Sequence, residues 1–502
     1  MASIFCDRCG DTVAEGCDPL DELAQLELLL ERLTQKRYDL KRKINRLHSP
    51  IVRQLPPDVT STIFEFCLPL FTNLRYLPFE MNFPFPLSLG AICSYWRDIA
   101  WSTPSLWSSL MVYVSGNDSH TTIVKQWLAR SGQLPLSISI YSVSNWRQVL
   151  AVANIINQYS SRWFELDLVL PLSFYQYFHA TDNHAPILKF LRFHGADQYR
   201  SREGVFHLSC PRLEKADFTS FQMNGMYIQC DNVTHLDLYD MSTIDSLLIL
   251  RMTPRLVFCS ISFFAKQSRA RTGAILTSLK FLQLHTSSFH DFLNNLITPG
   301  LEELRVSRCD KASIESIASL LKRSTCSLRS FSITCDLSIH LEEFTSLLQL
   351  MPSLKTLSLR SADEESHQHD LRSIMQLVDK VLSSQSATLQ RGLLPNLEVL
   401  EYTGQLCLGL CPENLHPLPP TDNIVHDGPL HLLKLSLHSK PRIPKTFISC
   451  FLSLAARGVT VNVLSRSEDI LQSSMDYYKA KEESLGQDWV DNLDLSLMQD
   501  SS

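Results

Sequence analysis

One apolar signature, apolar-x-x-apolar-x-apolar, recurs along most of the chain and restricts its possible folds more than any other feature. It runs through Trp163/Leu166/Leu168, Leu188/Leu191/Phe193, Leu213/Ala216/Phe218, Val233/Leu236/Leu238, Leu256/Cys259/Ile261 and Leu279/Leu282/Leu284. It continues through Leu301/Leu304/Val306, Leu328/Phe331/Ile333, Leu354/Leu357/Leu359, Leu397/Leu400/Tyr402 and Leu432/Leu435/Leu437. Eight of the ten intervals between successive starts are 20 to 27 residues, and the last two are 43 and 35. The closing apolar-x-apolar has the two-residue period of a strand. Three buried side chains cannot offset the backbone entropy of ordering a whole repeat, so no repeat folds alone. Stacked neighbours share a continuous core, with parallel strands on one face and helices or irregular segments, such as 314–323 and 341–350, on the other. The expectation over 111–465 is a curved solenoid, with inserted helices or loops at 370–383 and 411–420 filling the long intervals.

The interval is that of leucine-rich repeats, and the missing asparagine consensus makes these irregular examples. Strand alternation sends the third, fifth and seventh positions of each repeat to the concave face. Candidate target-binding residues are therefore His235, Asp237 and Tyr239; Phe281, Gln283 and His285; Glu303, Arg305 and Ser307; and Thr356, Ser358 and Arg360. Their mixed polar, charged and aromatic character suits a protein ligand.

Ahead of the repeats, Leu23, Leu26, Leu30, Leu33, Arg37, Leu40, Ile44 and Leu47 alternate steps of three and four, as heptad a and d positions do. A helix over 20–48 follows. It fits either one strand of a homodimeric coiled coil or an amphipathic helix lying on the next domain. Residues 1–19 read as a flexible N-terminus. Cys6-x-x-Cys9 and Cys17 have half the spacing of a zinc site but no second pair nearby, so no metal is expected. No cofactor is expected either.

Composition narrows the function. Only 16 of 502 residues are Gly, which leaves little for phosphate-cradling loops, and no hydrolase, kinase, phosphate-loop, zincin or dinucleotide motif stands in context. A non-enzymatic protein is expected. The net charge of −6 concentrates in an acidic tail at 466–502, leaving a near-neutral body without the cationic face that nucleic acid requires. Fourteen irregularly spaced Cys, no leader and no membrane-spanning apolar run indicate an intracellular protein with reduced thiols, cytoplasmic or nuclear, with neither nucleic acid nor membrane as partner.

The segment 49–110 carries a family resemblance. Leu55-Pro56-Pro57-Asp58-Val59 opens a helix with Pro in its first turn, and Val59, Ile63, Phe66 and Cys67 follow at helical spacing. Leu68-Pro69 ends it. After a proline- and aromatic-rich insertion at 70–86, Leu89, Ile92, Cys93, Trp96, Ile99 and Ala100 make one apolar stripe on a second helix. Ser105-Leu106-Trp107 completes the order. This arrangement resembles the F-box motif. The heptad helix before it, the phrase Trp127-Leu128-Ala129-Arg130-Ser131-Gly132 and the irregular repeats resemble fungal-type F-box proteins.

The resemblance implies an α/β chain with a short coiled-coil-like helix, a small helical F-box-like module and an irregular leucine-rich-repeat-like solenoid. It implies a substrate-recognition adaptor of an SCF-type (Skp-cullin-F-box) ubiquitin ligase, bound to a Skp-type adaptor and through it to a cullin-RING ligase. By that resemblance, Leu55, Pro56, Ile63, Leu68, Leu89, Ile92, Cys93 and Trp96 contact the Skp-type adaptor or form the local core. The rival reading is a non-catalytic interaction scaffold, dimeric through the heptad, with no ubiquitin ligase association.

Overall fold

The computed structural model describes residues 19–48, 55–68, 85–114, 120–142, 146–180, 182, 184–195, 206–223, 225–262, 273–285, 289–309, 311–335, 337–360, 369–385, 393–404, 406–407, 429–438, 442–466 and 468–485. Cys6, Cys9, Cys17, residues 70–84 of the insertion at 70–86 and the segment 411–420 lie outside them. The protein is α/β, with helices and a large, mostly parallel sheet. It divides into two compact units, Met1–Ser139 and Ile140–Ser502, the division falling inside the strand Leu136–Tyr141. Among the described residues no helix is long and apolar enough to cross a membrane.

In the first unit the heptad segment is one helix, Pro19–His48. Short helices follow at Pro57–Phe66, Phe85–Ile92 and Ser94–Ser102, with a 3-10 turn at Pro104–Trp107. The stripe expected on a single helix is broken. Cys93 is extended (φ −157°, ψ 168°) and caps the following helix, its Sγ accepting from the Trp96 N–H at 3.4 Å. The two halves fold back on each other because Gly90 has no side chain: a Cβ there would lie 2.2 Å from the Trp101 ring. Helical periodicity runs through such a break unaltered, since residues on both sides remain apolar.

Trp101, Trp107 and Trp127 form an edge-on cluster with ring centroids 5.2 and 4.8 Å apart. The Arg130 guanidinium sits 5.0 and 4.8 Å from the Trp101 and Trp107 rings. The Trp107 indole donates to the Ala100 carbonyl (2.7 Å) and the Trp127 indole to that of Ser109 (3.1 Å). Helix His120–Arg130 delivers Trp127 and Arg130, and Gly132 turns the chain away from it at φ +58°. The phrase 127–132 is thus a packing unit: aromatic, buried Leu128, cation and left-handed stop.

In the second unit, strands pair in parallel and in sequence order from Trp163–Leu170 and Phe190–Gly195 to Val399–Gly404, Leu432–Leu437 and Thr460–Ser465. The three positions of every apolar triple from Trp163 to Tyr402 are buried. The last triple is displaced by two residues from the sequence reading. Leu400 pairs with Leu433 and Tyr402 with Leu435, so Leu430, Leu433 and Leu435 take the three equivalent positions; Leu435 and Leu437 of the sequence triple are buried, while Leu432 turns to the other face. A Leu run fits both phases, and only pairing with the neighbouring strand selects one.

Helices Lys311–Ser324, Leu337–Leu348 and Leu371–Gln385 fill intervals between strands, the last inside the interval of 43. In several triples the residue after the first position forms an ion pair with its counterpart in the next repeat. Lys189 meets Glu214 at 2.8 Å, Lys280 meets Glu302 at 3.2 Å and Lys355 meets Glu398 at 2.6 Å. These pairs are exposed and contribute little singly. The acidic tail is folded in its first part: Glu468–Asp469 pairs antiparallel to Leu464–Ser465, and helix Ile470–Leu485 buries Ile470, Ser474 and Tyr478. The Ser474 hydroxyl accepts from the Ile443 N–H at 3.1 Å.

Candidate interaction surfaces

In the first unit, helix Pro57–Phe66 buries only Thr60 and Phe64. Phe64 packs against Trp96 at 4.9 Å between ring centroids. The stripe read from sequence points outward: Val59 is 43% exposed, Ile63 44% and Phe66 87%. Ile92, at the end of its short helix, is 58% exposed. Of the residues expected to contact an adaptor or form local core, Ile63, Ile92 and Pro56 are exposed, while Leu55, Leu68, Cys93 and Trp96 are half-buried. Leu89 is in the core. The Tyr95 hydroxyl donates to the Leu55 carbonyl at 3.4 Å, and Ser105 donates to Glu65, tying the first helix to the later ones. The apolar residues left outside are therefore held on a braced frame.

In the second unit all twelve candidate target residues share the sheet face opposite the buried triples, and none is buried. Register aligns them in rows. His235, Phe258, Phe281, Glu303 and Thr356 lie in one. Asp237, Gln283, Arg305 and Ser358 lie in the next, and Tyr239 and Arg360 lie two residues beyond. The first row is an aromatic ladder. The rings of His235 and Phe258 stack 5.8 Å apart and those of Phe258 and Phe281 4.5 Å apart, and the Arg305 guanidinium sits 5.0 Å over Phe281. Arg305 is also held by Glu303 at 2.7 Å. Phe258, absent from the sequence reading, completes the ladder; its position after Leu256 follows the same rule that located Phe281. Farther along, Ser358 donates to Glu401 at 3.0 Å.

The same face carries an ion cluster that sequence reasoning missed. Arg192 donates from Nη1 to Asp167 (3.1 Å) and from Nε to Asp217 (3.0 Å), with side-chain exposures of 17%, 6% and 2% for Arg192, Asp167 and Asp217. Each occupies the fifth position of its repeat, and the constant interval of 25 residues was the signal that could have found them. Burial lowers the Arg192 pKa, but the two carboxylates outweigh it and hold the value above that of an ordinary arginine. Burial, reinforced by Asp167, pushes the Tyr141 phenol up to about 12. These groups hold one another, whereas the His235–Phe281 ladder turns ring edges and an exposed cation to solvent.

Among the described residues no group of three or more His, Cys, Asp or Glu side chains could hold a metal ion. The buried thiols Cys210, Cys230 and Cys259 have raised pKa values because burial disfavours the thiolate. No protein-family model matches the chain, and a search of curated proteins returned no match.

Proposed function

We propose that the chain recruits a protein target to an SCF-type ubiquitin ligase. The first unit's F-box-like helices dock on a Skp-type adaptor, which links them to a cullin and a RING protein. The second unit, a leucine-rich-repeat-like solenoid, holds the target on its sheet face, with Phe258 and Phe281 as anchors and Arg305 and Glu303 beside them. On this reading the chain contributes binding and its partners perform the transfer, in the cytoplasm or nucleus.

The observation that carries the proposal is the outward placement of Val59, Ile63, Phe66 and Ile92 on short helices that turn Phe64 and Leu89 into the core. Exposed apolar clusters on a braced frame mark contact surfaces. The F-box resemblance supplies the identity of the partner. The test is capture of purified Skp-type adaptor by the intact chain and by the Ile63→Asp, Ile92→Asp double variant. Both positions are solvent-facing, so the variant keeps its fold, as circular dichroism would verify. Capture by the intact chain and its loss in the folded variant are expected. No capture by a folded intact chain would overturn the ligase reading and leave the scaffold.

A further inference from the structure

Helix Pro19–His48 leaves its seam open. Leu23, Leu26, Leu30, Leu33, Leu40, Ile44 and Leu47 are each at least half exposed, between 51% and 69%. Charge is segregated along the same helix. Asp21, Glu22, Glu27 and Glu31 lie in its first half against one cation, Arg32; Lys36, Arg37, Lys41, Arg42 and Lys43 lie in its second against one carboxylate, Asp39. Helix-dipole compensation acts only in the first and last turns, so it accounts for Asp21 and Glu22 and not for Glu27, Glu31, Lys36 or Lys41. A partner running the other way accounts for Glu27 and Lys41, which then oppose each other.

With a and d positions placed on the seam, Glu22, Lys36 and Lys43 fall at g and Glu27 and Lys41 at e. In a parallel pair, g meets e of the next heptad, which opposes Glu22 to Glu27 and Lys36 to Lys41 and sets Arg37 against its own copy. Reversing one helix about Gln35 removes these clashes. Leu23 then layers on Leu47, Leu26 on Ile44, Leu30 on Leu40 and Leu33 on the stem of Arg37, and Glu27 faces Lys41 on both sides. Lys36 near its own copy is the like-charge contact that remains.

We propose that this helix pairs with the same helix of a second copy as an antiparallel two-stranded coiled coil, joining two chains tail to head at their N-terminal segments. The inference is independent of the ubiquitin-ligase reading, since it uses none of the residues of the F-box-like module.

Sedimentation equilibrium of the full chain tests it. Twice the 57.2 kDa chain mass is expected at micromolar concentration. Leu33→Asp should return the chain to monomer, with tryptophan fluorescence unchanged because the residue is exposed. Glu27→Lys decides orientation. It turns both Glu27–Lys41 contacts repulsive in the antiparallel pair and should weaken dimerisation by about tenfold, with the added Lys41→Glu restoring it. In a parallel pair, Lys at 27 would meet Glu22 and tighten the dimer. A monomer up to about 100 µM, a dimer indifferent to Leu33→Asp, or tightening by Glu27→Lys would each overturn the proposal.

Discussion

Replacing Arg192 with Met removes the cation between two carboxylates that fold with 6% and 2% of their side-chain surface exposed. Met keeps most of the apolar stem, so the loss is chiefly electrostatic. Breaking a buried ion pair by deleting one partner costs about 3 to 5 kcal/mol. Because Arg192 is itself 17% exposed, the low end applies, about 3 kcal/mol at pH 7. Urea unfolding at pH 7 measures the loss, and hydrogen exchange localises it to strands Trp163–Leu170, Phe190–Gly195 and Lys215–Thr219. A cost below about 1 kcal/mol would refute the reasoning.

Three further outcomes follow from packing and thiol burial. Gly195→Ala would set a Cβ 2.4 Å from the Ser220 carbonyl oxygen, a backbone atom that cannot swing aside, and should cost at least 1 to 3 kcal/mol in a urea melt; a neutral result would mean the two strand ends are not packed this way. Leu433→Ala should cost about 2 to 5 kcal/mol and Leu432→Ala less than about 1 kcal/mol, and the reverse order would restore the register read from sequence. Iodoacetamide at pH 8 should label exposed Cys67 in the native chain and reach Cys210, Cys230 and Cys259 only after denaturation, as peptide mass spectrometry can follow.

Much of the candidate target face was legible because strand alternation is local: once Val233, Leu279 or Leu354 is assigned inward, the residues two, four and six positions on face outward. Phe258 and the Asp167–Arg192–Asp217 cluster were legible by the same rule extended to other repeats. The outward turn of Val59, Ile63 and Phe66 was not, because an apolar stripe on a helix reads the same whether it meets the chain's own core or is left outside. Phe64 and Thr60 took the core face instead, through the Trp96 contact, which joins residues 32 positions apart in sequence.

The sequence by itself determined the repeat interval, the strand triples down to Tyr402 and the heptad helix, since each rests on a periodicity of neighbouring residues. The tertiary structure alone decided the break at Cys93, the shift of the last triple to Leu430, Leu433 and Leu435, and the folding of 468–485. The first depends on Trp101 reaching Gly90, the second on pairing with Val399–Gly404, and the third on strand Thr460–Ser465 and Ile443 offering partners. In each case several local conformations fit the residues equally well, and a contact with another segment made one of them lowest in free energy.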